Sequence, residues 1–390
     1  MKKINSNQIK IYNILFFASL ILLLNNIYSK KIQKIRALEE NIFSKEYINL
    51  FNFVIMNNGH INPKLIPNES SNINRYIIAK EKIKKDEILL FIPDDILISK
   101  LHKQIFPKCR DAYGLIEEYE FECVVYFMTM DKYNSSSIFK PYYDYLPKIN
   151  ISDFVFSFTP QEKKMFEGTG ITEGIRVYEH FLEQALKPVE QKLKKFSEKN
   201  KIKYEEIIEE FKYNFLMVGT RNFGRPESIF DVNTMVPYLD LINHSDKNNT
   251  NWFYDESKRR FVLESIRDIE KNEEITDSYG HFVNSKLYKA YGFVILGNIY
   301  HDNVYIKING ESFTLNVVFL KSKVDSMFEK LVIMKDFEVE KARDCIIKSL
   351  IEKKNYYLQL KTNRFSMNVI IKEHLDIINE FINEVKIYKF

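Results

Sequence analysis

The order in which β-forming and helix-forming patterns follow one another restricts the fold of this chain more than any single motif. "NRYIIAKEKIKKDEILLFIPDDILIS" holds two β-rich runs, Tyr76 to Ala79 and Ile88 to Ile92, with a charged turn between them and Pro93 ending the second. From about residue 105 to residue 220 the periodicity is helical. There "VYEHFLEQALKPVEQKLKKF" sets Val177, Phe181, Leu182, Ala185, Val189, Leu193 and Phe196 along one face, with a kink at Pro188. Short strands return after Met235 in "RFVLESI" and "EEITDSYG", and Asn272 marks the turn between them. Upstream, "ALEENIFSKEYINLFNFVIMNNG" predicts a helix that stops at Gly59. The tail is helical, with apolar stripes at spacings of three and four in "FEVEKARDCIIKSLIEKK" and "NVIIKEHLDIINEFINEVKIY". Small sheet, helical block, small sheet and helical tail make an α+β chain without an internal repeat.

Composition narrows the class further. With 390 residues, 45% apolar and 28% charged, the chain can bury a core of two or so packed units. Basic and acidic residues nearly balance, 57 against 53, so no field argues for a nucleic-acid partner. Cys109, Cys123 and Cys345 lie far apart without a CxxC pair or a His at ligand spacing. They are expected to be buried, reduced thiols, with no metal site and no disulfide framework. Nothing in the sequence calls for more than a monomer.

Residues 1 to 36 carry seven basic and no acidic residues around the apolar run "ILFFASLILLL", Ile14 to Leu24. The run matches a signal-peptide core and is shorter than the roughly 20 residues that span a bilayer. The segment reads as a leader, cleaved near Ser29 or kept as an anchor or organelle address. Any membrane association is expected only through it. The destination it suggests is the secretory pathway or an organelle; otherwise the cytoplasm is expected. Sequons at Asn68, Asn134, Asn150, Asn243 and Asn248 permit glycosylation in a lumen.

Familiar catalytic signatures are missing. "GTGITEG", residues 168 to 174, lacks the GxGxxG spacing and a preceding buried strand, so it reads as a turn. No GxSxG elbow, HExxH or P-loop occurs. His301-Asp302 is a dipeptide without companions, a turn by itself. In "VPYLDLINHSDKNNTNW", residues 236 to 252, Asn243-His244 alone reads as a cap or a satisfied polar pair.

Taken together, the separated segments carry more. Pro237, Asp240, Asn243, His244 and Ser245, followed by Glu273, Glu274, Ser278, Tyr279 and Gly280, resemble the pattern of SET-domain methyltransferases. More narrowly they are similar to the Rubisco large-subunit methyltransferase-like subclass. "SIFKPYYDYLPK", "FEGTG" and "NSKLYKAYGFV" resemble further segments of that subclass. Two departures stand out. The early Gly-Arg-Gly is Asn74-Arg75-Tyr76, and Asp86 stands where Gly precedes Glu87.

The resemblance implies a SET domain over residues 37 to 300, built of small sheets with a threaded C-terminal segment and interrupted by the helical insertion. A short helical substrate-binding-like domain would follow over residues 301 to 390. It implies S-adenosylmethionine as cofactor, bound by Arg75, Arg221, Asp240, Asn243, His244 and Tyr291, with Tyr279 as the catalytic residue. It implies a protein substrate whose lysine is methylated. Histidine is the alternative acceptor, since one member of the subclass methylates histidine. That member has Trp before the motif Asp and lacks the Tyr of Tyr-Gly-Phe, whereas Leu239 and Tyr291 stand here, which favours lysine. An idle SET-like peptide-binding module is the other alternative, suggested by the lost glycines and the short tail.

Overall fold

Both early β-rich runs form strands, Tyr76–Ala79 and Ile88–Pro93, but not with each other. Tyr76–Ala79 pairs antiparallel with Leu65–Asn68. Ile88–Pro93 lies inside a four-stranded sheet, flanked by His60–Ile61 and by Arg260–Ser265, with Thr250–Asp255 beyond. That sheet joins segments from both sides of the helical block. Leu89, Leu90, Ile92, Phe261, Val262 and Leu263 are all buried, so its middle strands are covered on both faces. This computed structural model describes residues 43–390 apart from 70–74, 115–118, 149–153, 228–229 and 299. The leader, Asn74 and Asn150 lie outside the described residues. None of the described helices is long and apolar enough to cross a membrane.

Local signals explain the ends of several elements. The first described helix, Lys45–Met56, starts where the Ser44 side chain accepts the Tyr47 amide, and ends before Gly59, whose amide turns back to the Val54 carbonyl. Gly59 is close-packed, since a Cβ there would lie 2.5 Å from Val54. Asp86 takes the left-handed conformation that glycine adopts most readily, φ 63°, and its amide donates to the Ser265 carbonyl. Short polar side chains are the non-glycine residues that tolerate this region. Asn272 does the same at its turn, φ 68°.

The insertion contains the helices Phe106–Tyr113, Glu120–Asp131, Lys140–Tyr145, Pro160–Met165, Ile171–Leu186, Glu190–Asn200 and Tyr204–Arg221. Glu120–Asp131 is buried from Cys123 through Thr129, as a helix through the core must be. The expected single stripe across Pro188 is corrected: Pro188 separates two helices and does not kink one. Ala185, Val189 and Leu193 are buried as expected, yet Val177 and Phe181 are each 54% exposed. Helical phase is lost at the break, so Ile171–Leu186 buries the neighbouring stripe of Ile171, Ile175 and Ala185.

The cysteine expectation is also overturned. Cys109 and Cys123 form a disulfide with a Cα–Cα distance of 5.2 Å, and only Cys345 is free. Two helices joined by a short connection set these positions side by side, a proximity that spacing alone does not reveal. The closed loop spans 14 positions, for which chain entropy contributes about 3 kcal/mol. Alkylation of the denatured protein is therefore expected to count one thiol without reductant and three with it. Reductant should also lower the melting temperature, and three thiols without reductant would contradict the bond.

Two hairpins were not anticipated. Asn222–Glu227 pairs with Phe230–Met235, so strands return before Met235. The tail, expected to be helical throughout, begins with Val304–Ile308 paired to Glu311–Leu315. Its turn is Asn309-Gly310, both at positive φ, the strongest short hairpin signal there is. The helices Val339–Gln359 and Phe365–Ile387 follow where the stripes placed them. A second core joins the tail to Val155, Phe158, Phe166, Ile171 and Ile175 of the insertion and to Tyr288. His301-Asp302 has companions after all. Asp302 is buried, accepts from the backbone and hydroxyl of Ser285, and lies 3.7 Å from His374. This network fastens the last helix to the helix Asn284–Tyr291.

Candidate functional site

The opening of the "VPYLDLINHS" segment is tightly constrained. Tyr238 is fully buried with φ 75°, an unusual conformation for a bulky residue, and its hydroxyl meets that of Tyr47 at 2.8 Å. A 3-10 turn, Leu239–Leu241, then turns Asp240 inward. Asn243–His244 next runs parallel to Thr276–Asp277, with Asn243 opposite Thr276 and His244 opposite Asp277. The Ser245 amide extends the ladder to the Asp277 carbonyl at 2.9 Å. The Asn-His and Ser-Tyr-Gly motifs, distant in sequence, thereby lie side by side.

Each polar group has a defined neighbour. The Asn243 amide donates to Glu274 Oε1 at 2.9 Å and to the Arg75 carbonyl at 3.4 Å, tying the early strand to the ladder. His244 Nδ1 accepts the Tyr279 amide at 3.0 Å, which puts the imidazole proton on Nε2. Burial lowers the His244 pKa against the pull of Asp246, so the ring is neutral at neutral pH. Tyr279 donates its hydroxyl hydrogen to the Ile242 carbonyl at 2.9 Å. Its oxygen lone pairs therefore stay available. Burial raises the Tyr279 pKa, so this phenol is not a base at neutral pH. Its ring lies 5.0 Å from Tyr291 and 5.3 Å from His244, with Phe293 at 6.5 Å.

The charged part of the site is an ion pair. Arg221, the last residue of its helix, donates through Nη1 to the Asp240 carbonyl at 2.7 Å and lies 3.5 Å from Asp240 Oδ2. The Tyr142 hydroxyl donates to the same Oδ2 at 2.9 Å. Burial opposes the Arg221 charge, but Asp240 together with the hydroxyls of Tyr142, Tyr279 and Tyr213 outweighs it and holds the pKa up. Burial pushes the Asp240 carboxyl up against the pull of Arg221 and Tyr142. Arg75 lies over the Tyr145 ring at 4.3 Å and donates to the Tyr145 carbonyl at 2.6 Å.

A cavity of ≈ 140 Å³ brings together Arg221, Asp240, Tyr279 and Tyr291 with Phe223, Trp252 and Asp277. Arg75, Asn243 and His244 do not line it. They join the cluster through the Asn243 bond to the Arg75 carbonyl and the His244 bond to the Tyr279 amide. Glu274, Trp252, Phe293 and Asp277 were not among the expected site residues. Asp277 was within reach of sequence reasoning, because in extended chain it shares a side with Tyr279 two residues on.

Burial raises the Asp277 carboxyl to about 6, against a backbone hydrogen bond at Ser278. For a carboxyl raised in the fold, stability is complete below its unfolded pKa of about 3.9 and is lost as pH rises through the folded value. The loss reaches about 3 kcal/mol above pH 6. Asp277→Asn is accordingly expected to melt higher than the natural chain at pH 8 and level with it near pH 4. Equal melting at both pH values would contradict the buried charge.

This geometry sets the frame for comparison with known proteins. The SET domain family model matches residues 74–280, more than half of the chain, and the protein belongs to the SET-domain family. Ribosomal lysine N-methyltransferase 4 of Saccharomyces cerevisiae is 25% identical over 290 residues, covering 65% of this chain and 57% of that protein. N-lysine methyltransferase setd6 of Danio rerio is 26% identical over 230 residues, covering 56% and 50%. The chain thus spans about half the length of these curated relatives. Among solved structures, Rubisco LSMT bound to AdoMet superposes with a TM-score of 0.62 at 14% identity, over 88% of this chain and 92% of that one. That likeness extends the shared fold into the helical tail.

Proposed function

We propose that the protein is an S-adenosylmethionine-dependent methyltransferase acting on lysine side chains of a protein substrate. The observation that carries this is the Tyr279 hydroxyl. It is neutral, fixed by the Ile242 carbonyl, and directed by the crossing of the two motifs to the edge of a small aromatic cavity beside Arg221. Support comes from the two lysine N-methyltransferases above and from structural neighbours solved with lysine and AdoHcy or with AdoMet.

The residues present fit the cofactor. Arg221 Nε is buried without a hydrogen-bond acceptor among the described residues, whereas His244 Nε2 lies 3.5 Å from Asp246 Oδ1. The planar Arg221 fork suits a carboxylate, and Arg75 lies near enough for its charge to act on Asp240. Arg221 and Arg75 would hold the methionine end, Asn243 and His244 would bind through amide and backbone groups, and Tyr291 would flank the cofactor. Asp240, its side chain wholly buried, acts by aiming Arg221.

S-adenosylmethionine, when bound, supplies a methyl group on a positively charged sulfur. The chain's part is alignment and exclusion of water. Tyr279, held by the Ile242 carbonyl, would offer its lone pairs to the methyl group and the acceptor, with the Tyr291 and Phe293 rings packed beside it. A lysine amine must be neutral to react, which costs about 4.6 kcal/mol at pH 7 from a pKa of about 10.4. The positive charge of the bound cofactor would favour loss of that proton once the acceptor has entered. Leu239 and Tyr291 favour lysine over histidine as acceptor. The tail, packed against the insertion, serves as the substrate-binding domain. The Cys109–Cys123 bond supports the oxidising destination that the leader sequence suggests.

The test is incubation of the purified protein with methyl-labelled S-adenosylmethionine and extract from the source cells, followed by mass spectrometry of labelled proteins. Label on lysine is expected. Label on histidine would overturn the acceptor, and failure to bind S-adenosylmethionine would overturn the enzyme.

A further inference from the structure

We infer that Asp277 is the counter-ion by which the cavity beside Tyr279 selects an acceptor side chain that arrives as a cation. This rests on the methyltransferase reading of the site and specifies what enters it. The charges of the cavity decide the matter. Of its charged lining residues, Arg221 and Asp240 form an ion pair, and S-adenosylhomocysteine, with one carboxylate and one ammonium, adds no net charge beside them. Asp277 is only 6% exposed, and among the described residues no Lys, Arg or His forms an ion pair with it. Once the pair cancels, one negative charge is left in the cavity. At neutral pH a carboxyl with a pKa of about 6 carries that charge most of the time.

The rest of the wall suits the same occupant. Phe223, Trp252, Tyr279 and Tyr291 line the space, and aromatic faces attract cations more strongly where water is excluded. The cavity of ≈ 140 Å³ would hold about four or five waters at about 30 Å³ each, comparable to the five heavy atoms of a lysine side chain. A neutral imidazole would gain no ion pair here. It would also leave the carboxylate buried and unpaired, which is costly. Asp277 therefore gives a physical basis for lysine over histidine, independent of Leu239 and Tyr291. It lines the same cavity as Tyr279.

Trp252 is the single tryptophan of the chain and lines this cavity, so its fluorescence reports entry directly. The experiment saturates the full chain with S-adenosylhomocysteine and titrates N-acetyl-lysine amide against the neutral isostere N-acetyl-norleucine amide. The natural chain is expected to bind the lysine probe about ten- to a hundredfold more tightly, as for a hydrogen bond to a charged group. Asp277→Asn should lose that preference while binding S-adenosylhomocysteine normally, and Asp277→Glu should restore part of it. No preference in the natural chain, or a preference that survives in Asp277→Asn, overturns this inference alone. Failure of S-adenosylhomocysteine to bind overturns the methyltransferase reading and this inference with it.

Discussion

Replacing Tyr279 with Phe is expected to slow methyl transfer by about a hundredfold or more, the scale seen when one fixed group of a preorganised site is removed. Cofactor affinity should stay near that of the natural chain. The reasoning is that the hydroxyl contributes only where methyl and acceptor meet, so its loss acts on the transition state and not on ground-state binding. Ring packing survives in the variant, because His244, Tyr291 and Phe293 contact the aromatic face that Phe retains. One cost is structural. The Ile242 carbonyl loses its donor, worth about 1–3 kcal/mol for a buried group, so a modest fall in melting temperature should accompany the loss of rate. The rate is measured with saturating S-adenosylmethionine, beside a cofactor titration on the same preparation. A variant as fast as the natural chain would remove Tyr279 from the chemistry.

How far the sequence reveals this site depends on the kind of interaction that builds each part. Tyr76–Ala79 and the two tail helices follow from periodicity, because one face of each is buried, while Ile88–Pro93, covered on both faces, follows from a β-rich apolar run that Pro93 ends. The motif residues Asn243, His244 and Tyr279 are legible through the SET-domain resemblance that their order and spacing carry. Other features lie beyond such reasoning. Arg221 and Asp240 are joined by the end of a helix meeting a 3-10 turn, and no local pattern announces that meeting. The Cys109–Cys123 bond likewise depends on how two helices pack. The hairpin at Asn309-Gly310 is different: its Asn-Gly turn signal stands in the sequence, just ahead of the helical stripes. Val177 and Phe181 fit a stripe whose phase is broken at Pro188, a limit of periodicity wherever a helix stops.

The Arg221–Asp240 pair yields the largest expected effect on stability. Asp240→Ala keeps the Arg221 bond to the backbone carbonyl of residue 240 but removes the carboxylate that balances the buried guanidinium and accepts from Tyr142, and breaking a buried pair from one side costs about 3–5 kcal/mol. Asp240→Asn should cost less, since its amide oxygen still accepts from Tyr142 while only the charge is gone. Removing both charges separates structure from function. In Arg221→Met with Asp240→Leu, apolar groups fill the space and no buried charge is left unpaired, so much of the lost stability should return. Cofactor binding should not return with it, because the carboxylate of S-adenosylmethionine would then meet a thioether in place of a guanidinium fork. Melting curves and cofactor titrations on the single and double variants check both halves. If the double variant regains binding together with stability, Arg221 serves the fold alone and the carboxylate is held by Arg75 or by backbone groups.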